Sequence, residues 1–205
     1  MTLRRDCRII PGVKRVLRPL LLAGASVALW MWSSTTRGAQ VDTAAFRAVN
    51  AGHGELPDRI FAGATELGSL YASGAAAAAL TMFGHRRTAT RAIAAAGLTW
   101  LAGQGLKRAV ERPRPYEADP SGTRRMIGRP PASSWPSSHP AVFTTFTTVA
   151  GRELALSRGA RLALGGLALA VAASRVYLGV HYPSDVASGL LLGRAVADAA
   201  SNDRS

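Results

Sequence analysis

The stretch SRVYLGVHYPSD, residues 174–185, brings an arginine, a histidine and an aspartate to the end of an apolar helical run. Gly179 and Pro183 interrupt the helical pattern, so the segment reads as a junction between two helices. Pro183 suits the first turn of the second helix, with Asp185 in the same turn. A carboxylate there can accept a hydrogen bond from one ring nitrogen of His181 and leave the other free as a nucleophile. The structural alternative is an Asp185 that answers the helix dipole and a His181 packed at an interface.

Two further clusters carry oxyanion chemistry. In KRAVERPRP, residues 107–115, Lys107 falls in the last turn of a helix that the Arg-Pro pairs stop. Lysine offers a mobile point charge and arginine a fixed fork that takes phosphate oxygens in pairs. A simple anchor for a helix end is the competing reading. In SWPSSHP, residues 134–140, Ser137 and Ser138 precede an apolar helix whose first turn suits Pro140. Free backbone N–H groups and hydroxyls at such a start form an anion site, with His139 at its edge as a proton donor. The alternative is an ordinary capped helix beside an incidental histidine.

These residues need elements to bring them together. Six apolar helical segments are expected, at about 17–34, 59–83, 89–107, 140–156, 161–178 and 184–199. Most approach the ~20 residues needed to cross a hydrocarbon core. Their Ala, Gly and Leu content suits closely approaching membrane helices. The expected fold is therefore an all-α, polytopic membrane bundle: a basic tail at 1–16, one domain at 17–199 and a short tail at 200–205. A mean hydropathy of +0.10 is low for that class and keeps a soluble helical bundle as the rival. The first apolar segment also reads as a secretory signal, a basic stretch followed by an apolar one.

Charge orients the bundle. The 205 residues carry a formal charge of +13. Clusters in the N-terminal tail (Arg4, Arg5, Arg8, Lys14, Arg15, Arg18), in GHRRTATR and in GRELALSRGAR all fall on one side of a six-span chain. That side is expected to be the cytoplasm, with both tails there. The basic stretch 107–129 falls on the other side, against the rule, and phosphate binding would explain it. Clustered cations between apolar runs argue against nucleic acid as a partner. Cys7, the single cysteine, excludes an internal disulfide and a multi-cysteine metal site. Glu66, in the second expected span, is left outside the site.

Taken together, the three clusters resemble the signature of the type 2 phosphatidic acid phosphatase superfamily, related to bacterial acid phosphatases and vanadium haloperoxidases. Lys, six residues, then Arg-Pro is met by Lys107 with Arg114-Pro115, not by the nearer Arg112-Pro113. Pro-Ser-Gly-His is met by Pro136-Ser137-Ser138-His139, with serine in place of glycine. If that turn needs φ > 0, serine would be strained. Ser-Arg, five residues, His, three residues, Asp is met in full by Ser174, Arg175, His181 and Asp185.

The resemblance implies a site on the extracytoplasmic side of the cell membrane. There His181 attacks phosphorus to form a phosphohistidine, and Asp185 orients the ring. It implies that His139 protonates the leaving oxygen and then activates water. Lys107, Arg114, Arg175, Ser137 and the backbone near Ser138 hold the charged oxygens, with no metal or cofactor. The implied partners are membrane lipids and a lipid phosphate substrate. A polyprenyl phosphate or diphosphate is favoured because Arg124, Arg125 and Arg129 stand beside the site to meet a second phosphate or anionic headgroups. Phosphatidic acid, phosphatidylglycerol phosphate and a catalytically silent lipid binder are the alternatives, and oligomeric state is open.

Overall fold

The computed structural model describes residues 11–200, His53 excepted, with side chains from Arg15 onward. Arg4, Arg5, Arg8, the side chain of Lys14 and the tail after 200 lie outside the described residues. Among these residues the chain is all helical: α1 (Pro11–Ser33), α2 (Thr36–Asn50), α3 (Glu55–Glu66), α4 (Leu70–Met82), α5 (Arg86–Ala109), α6 (Pro115–Ala118), α7 (Ser138–Glu153), α8 (Arg158–Tyr177) and α9 (Pro183–Ala200). α7 lies at the centre, packed on α5, α8 and α9, while α1 runs along α9 and α3 along α8.

Small residues set this packing. Ala89, Ala92, Ala95 and Ala96 of α5 meet Val142, Phe146 and Val149 of α7 in the largest buried cluster. Gly189 and Gly193 of α9 lie so close to α7 that a Cβ would come within 2.3 Å of the Ser137 and Ala141 carbonyl oxygens. Thr99 and Thr145 hydrogen-bond across α5 and α7 at 2.9 Å, and Ser26 and Ser188 bond each other's carbonyls across α1 and α9 at 3.1 Å. Large apolar side chains point outward instead, among them Leu20, Leu21, Leu101, Leu162 and Leu169. A bundle with small and hydroxylated residues inside and leucines outside is built for lipid.

Four expected spans correspond closely to α5, α7, α8 and α9, and the first to α1. α1 packs along α9 as an element of the bundle. The second expected span is two helices. α3 ends at Glu66 and α4 begins at Leu70, capped by Ser69, whose hydroxyl accepts from the Ala72 N–H. Gly68 at the break lets the chain pass close to α7 and α8: a Cβ there would stand 2.7 Å from Val171 and 2.8 Å from His139. Glu66 is an exposed residue at the end of α3.

The segment expected as a loop after the first span holds α2, which buries Gly38, Asp42, Phe46 and Asn50 at a spacing of four. The count of six spans is not reproduced. Among the described residues, two helices, Arg15–Ser33 and Arg158–Tyr177, are long and apolar enough to cross a membrane by themselves, and Leu70–Met82 is a shorter apolar helix. The central α7 and α9 face protein more than lipid and need no continuous apolar surface.

Candidate active site

The ends of α5, α7, α8 and α9 meet at one end of the bundle, and the three clusters converge there. Carbonyls of the connection before α7 hold Lys107 and one side of Arg114. Lys107 Nζ donates to Ser133 O at 2.8 Å and Ser134 O at 3.4 Å. Arg114 donates from Nε to Ala132 O and from Nη1 to Val180 O, at 3.1 and 2.8 Å. Arg175 donates from Nη1 to Thr65 Oγ1 at 2.8 Å, and its Nε is buried with no partner among the described residues. None of these three buried cations makes an ion pair among the described residues. Uncharged acceptors orient them and leave their charge available to an anion.

At the start of α7, the side-chain oxygens of Ser137 and Ser138 are buried without partners among the described residues. Ser137 has φ −73°, and Ser138 is not among the positive-φ residues, so serine in the glycine position is unstrained. The Ser137 amide is committed to the Asp185 carbonyl at 3.1 Å, which ties α7 to α9. The amides that follow it in the first turn of α7 have no intrahelical acceptor. His139 is half-buried beside Gly68 in the same turn.

His181 lies in the α8–α9 connection, 2% exposed. Its Nε2 is 3.3 Å from Arg114 Nη1, and its Nδ1 is 3.4 Å from Ser134 Oγ and 3.6 Å from Asp185 Oδ2. Asp185 therefore stands beside the ring, while Oδ2 accepts from Ser134 Oγ at 2.5 Å and the Tyr182 N–H at 2.9 Å. Burial, then the positive charges of Lys107, Arg114 and Arg175 and the neighbouring His139, push His181 well below its ordinary value of 6.5. The imidazole is held neutral, with a lone pair available.

Sequence reasoning missed one group. Arg112, set aside in favour of Arg114, donates to Asp185 Oδ1 at 2.5 Å, Ser184 Oγ at 2.7 Å and Asp42 Oδ2 at 2.7 Å. Asp42 also accepts from the Ser184 N–H at 2.9 Å and from its hydroxyl. The Arg-Pro-Arg-Pro spelling marked Arg112, but Asp42 and Thr65 gave no signal, because their partners lie 70 and 110 residues away. Among the loop arginines, Arg124 is a structural residue, with a two-point ion pair to Asp58 at 3.0 and 3.1 Å. Arg125 and Arg129 stand over the Tyr116 ring at 5.3 and 5.9 Å.

An all-helical bundle with a lipid-facing exterior and a cationic, histidine-bearing pocket at one end defines a class of membrane protein that handles anions. Residues 88–204 match the PAP2 superfamily, and the chain belongs to it. Over 115 residues it is 39% identical to a decaprenylphosphoryl-5-phosphoribose phosphatase of Mycolicibacterium smegmatis, covering 56% of this chain and 59% of that one. A Mycobacterium tuberculosis protein of the same name is 40% identical over 91 residues, 44% of this chain and 47% of that one. The chain thus spans about three-fifths of the first relative's length or less.

Two solved structures share the fold. One is a transmembrane PAP2 type phosphatidylglycerolphosphate phosphatase from Bacillus subtilis, with a TM-score of 0.72 and 24% identity over 88% of this chain and 92% of that one. The other is LpxE from Aquifex aeolicus, with a TM-score of 0.66 and 27% identity over 74% and 89%.

Proposed function

We propose that this chain is a metal-independent lipid phosphate phosphatase that works through a phosphohistidine on His181. The observation that carries the reading is the meeting of an uncharged, buried His181 with three cations that make no ion pair among the described residues. His181 Nε2 attacks phosphorus and the P–O bond to the lipid breaks. Burial, then the cations Arg175, Lys107 and Arg114, push His139 down to about 3 in the free site. Beside the incoming phosphate's negative charge, His139 takes up a proton and delivers it to the leaving oxygen. Lys107, Arg114 and Arg175, with Ser137 and the amide and hydroxyl of Ser138, take the charge that builds on the equatorial oxygens. His139 then draws a proton from water as the water attacks the phosphohistidine, and phosphate leaves. Asp185 sets the ring through its place beside Nδ1.

The substrate reading is a polyprenyl phosphate ester, supported by the names of the two mycobacterial relatives. A pocket of about 700 Å3 beside the site, lined by Lys107, Arg108, Tyr116 and Arg129, leaves room for a polar group between phosphate and lipid. The phosphatase domain is read as residues 17–199, in the cell membrane, with its site on the extracytoplasmic face.

Phosphate release from prenyl phosphates and phospholipids, measured for the protein and its His181→Ala variant, tests this. Turnover that survives a chelator and is lost in the variant is expected. A requirement for added magnesium, or full activity without His181, would end the reading.

A further inference from the structure

The end of the bundle opposite the site holds a second cavity, about 520 Å3, between α7, α8 and α9. Arg152, Arg158, Arg161 and Arg194 line it, with Thr144 and Leu162 among the other walls. One carboxylate, Asp198, answers Arg152 and Arg194 and takes Arg18 as well. Arg158 and Arg161 are exposed and make no ion pair among the described residues. The Thr144 hydroxyl is buried and lacks a partner among those residues. Above the cavity, α8 presents Leu162, Leu167 and Leu169 outward, 66%, 44% and 63% exposed. α8 is also one of the two helices able to span a membrane by itself.

We propose that this cavity binds the phosphate headgroup of an anionic phospholipid from the leaflet opposite the active site, with the acyl chains along α8. Its volume suits one headgroup. The guanidinium forks of Arg158 and Arg161 on α8 match paired phosphate oxygens, beside Arg152 and Arg194 that share Asp198, and the excess of cations over carboxylates calls for an anion. Basic pockets between helices hold anionic headgroups in this way. The adjoining leucines give an amphiphile a second contact that free phosphate cannot use.

Native mass spectrometry of the full chain in micelles tests the site, with phosphatidylglycerol, phosphatidylcholine and inorganic phosphate as probes. Phosphatidylglycerol is expected to be retained in preference to phosphatidylcholine. Arg158→Ala with Arg161→Ala is expected to weaken it about tenfold, a typical cost of losing charged phosphate contacts, whereas Lys107→Ala leaves it unchanged. Should the double variant melt early, the single Arg161→Gln variant carries the same comparison. Equal retention of both lipids, undiminished binding in the arginine variants, loss in Lys107→Ala, or displacement by millimolar inorganic phosphate would each overturn the proposal. The readout needs no turnover, so it is independent of the phosphatase reading.

Discussion

At the scale of single residues, Arg112 decides how Asp185 can act. Asp185 is fully buried, and Arg112 satisfies one of its oxygens while reaching Asp42 on the other side. Removing one partner of a buried ion pair leaves uncompensated charge and costs about 3–5 kcal/mol. Arg112→Ala strands two carboxylates, so a loss of about 3 kcal/mol or more is expected in thermal or denaturant unfolding. Arg112→Lys keeps the charge but has no planar fork to span both carboxylates. It is expected to fold, with kcat lowered more than KM, because Asp185 and the His181 ring are less firmly set. A wild-type kcat in that variant would leave Arg112 a purely structural residue.

His181 carries a pH signature with a definite sign. Its folded value lies well below 6.5. Below pH 6.5 the unfolded chain takes up a proton that the folded chain refuses, so stability falls as the medium becomes more acid. Melting temperature measured from pH 8 to pH 5 is expected to fall less steeply for His181→Phe than for the wild type. Identical slopes would mean that His181 titrates normally.

At the scale of elements, the site depends on how closely α9 approaches the start of α7. Gly189 permits that approach, since a Cβ there would meet the Ser137 carbonyl oxygen at 2.3 Å. Gly189→Ala must push α7 and α9 apart and carry Ser138 and His139 away from His181. A fall of at least tenfold in kcat, with about 1–3 kcal/mol of stability lost to overpacking, is expected from activity and melting measurements. The three clusters were legible because each is local: residue type, a helix end and a spacing within twelve residues. α2 was not, because its buried face of Gly38, Asp42, Phe46 and Asn50 is half polar and resembles a loop in hydropathy. The break at Gly68 was hidden in a run of small residues, and only contact with His139 and Val171 gives it meaning.

At the scale of the whole molecule, the two ends of the bundle differ in chemistry. One end gathers Lys107, Arg114, Arg175 and the two histidines among carbonyls and hydroxyls. The other presents Arg18, Arg86, Arg87, Arg158 and Arg161 around the turns α4–α5 and α7–α8 and the start of α1. Cytoplasmic turns carry the arginine excess, and on that rule the proposed orientation puts the arginine-rich turns inside and the histidine end outside. The histidine end is itself basic, but much of its charge is engaged: Lys107 and Arg114 turn to the site, Arg124 pairs with Asp58, and Arg125 and Arg129 stand over the Tyr116 ring.

The single native cysteine makes this orientation testable. In a Cys7→Ser background, Ser121→Cys puts a thiol on the exposed loop at the histidine end, and His85→Cys puts one on the exposed turn before α5. A membrane-impermeant maleimide applied to intact cells is expected to label Ser121→Cys and to label His85→Cys only after permeabilisation. The reverse pattern would turn the site toward the cytoplasm and require its substrate to be presented from the inner leaflet.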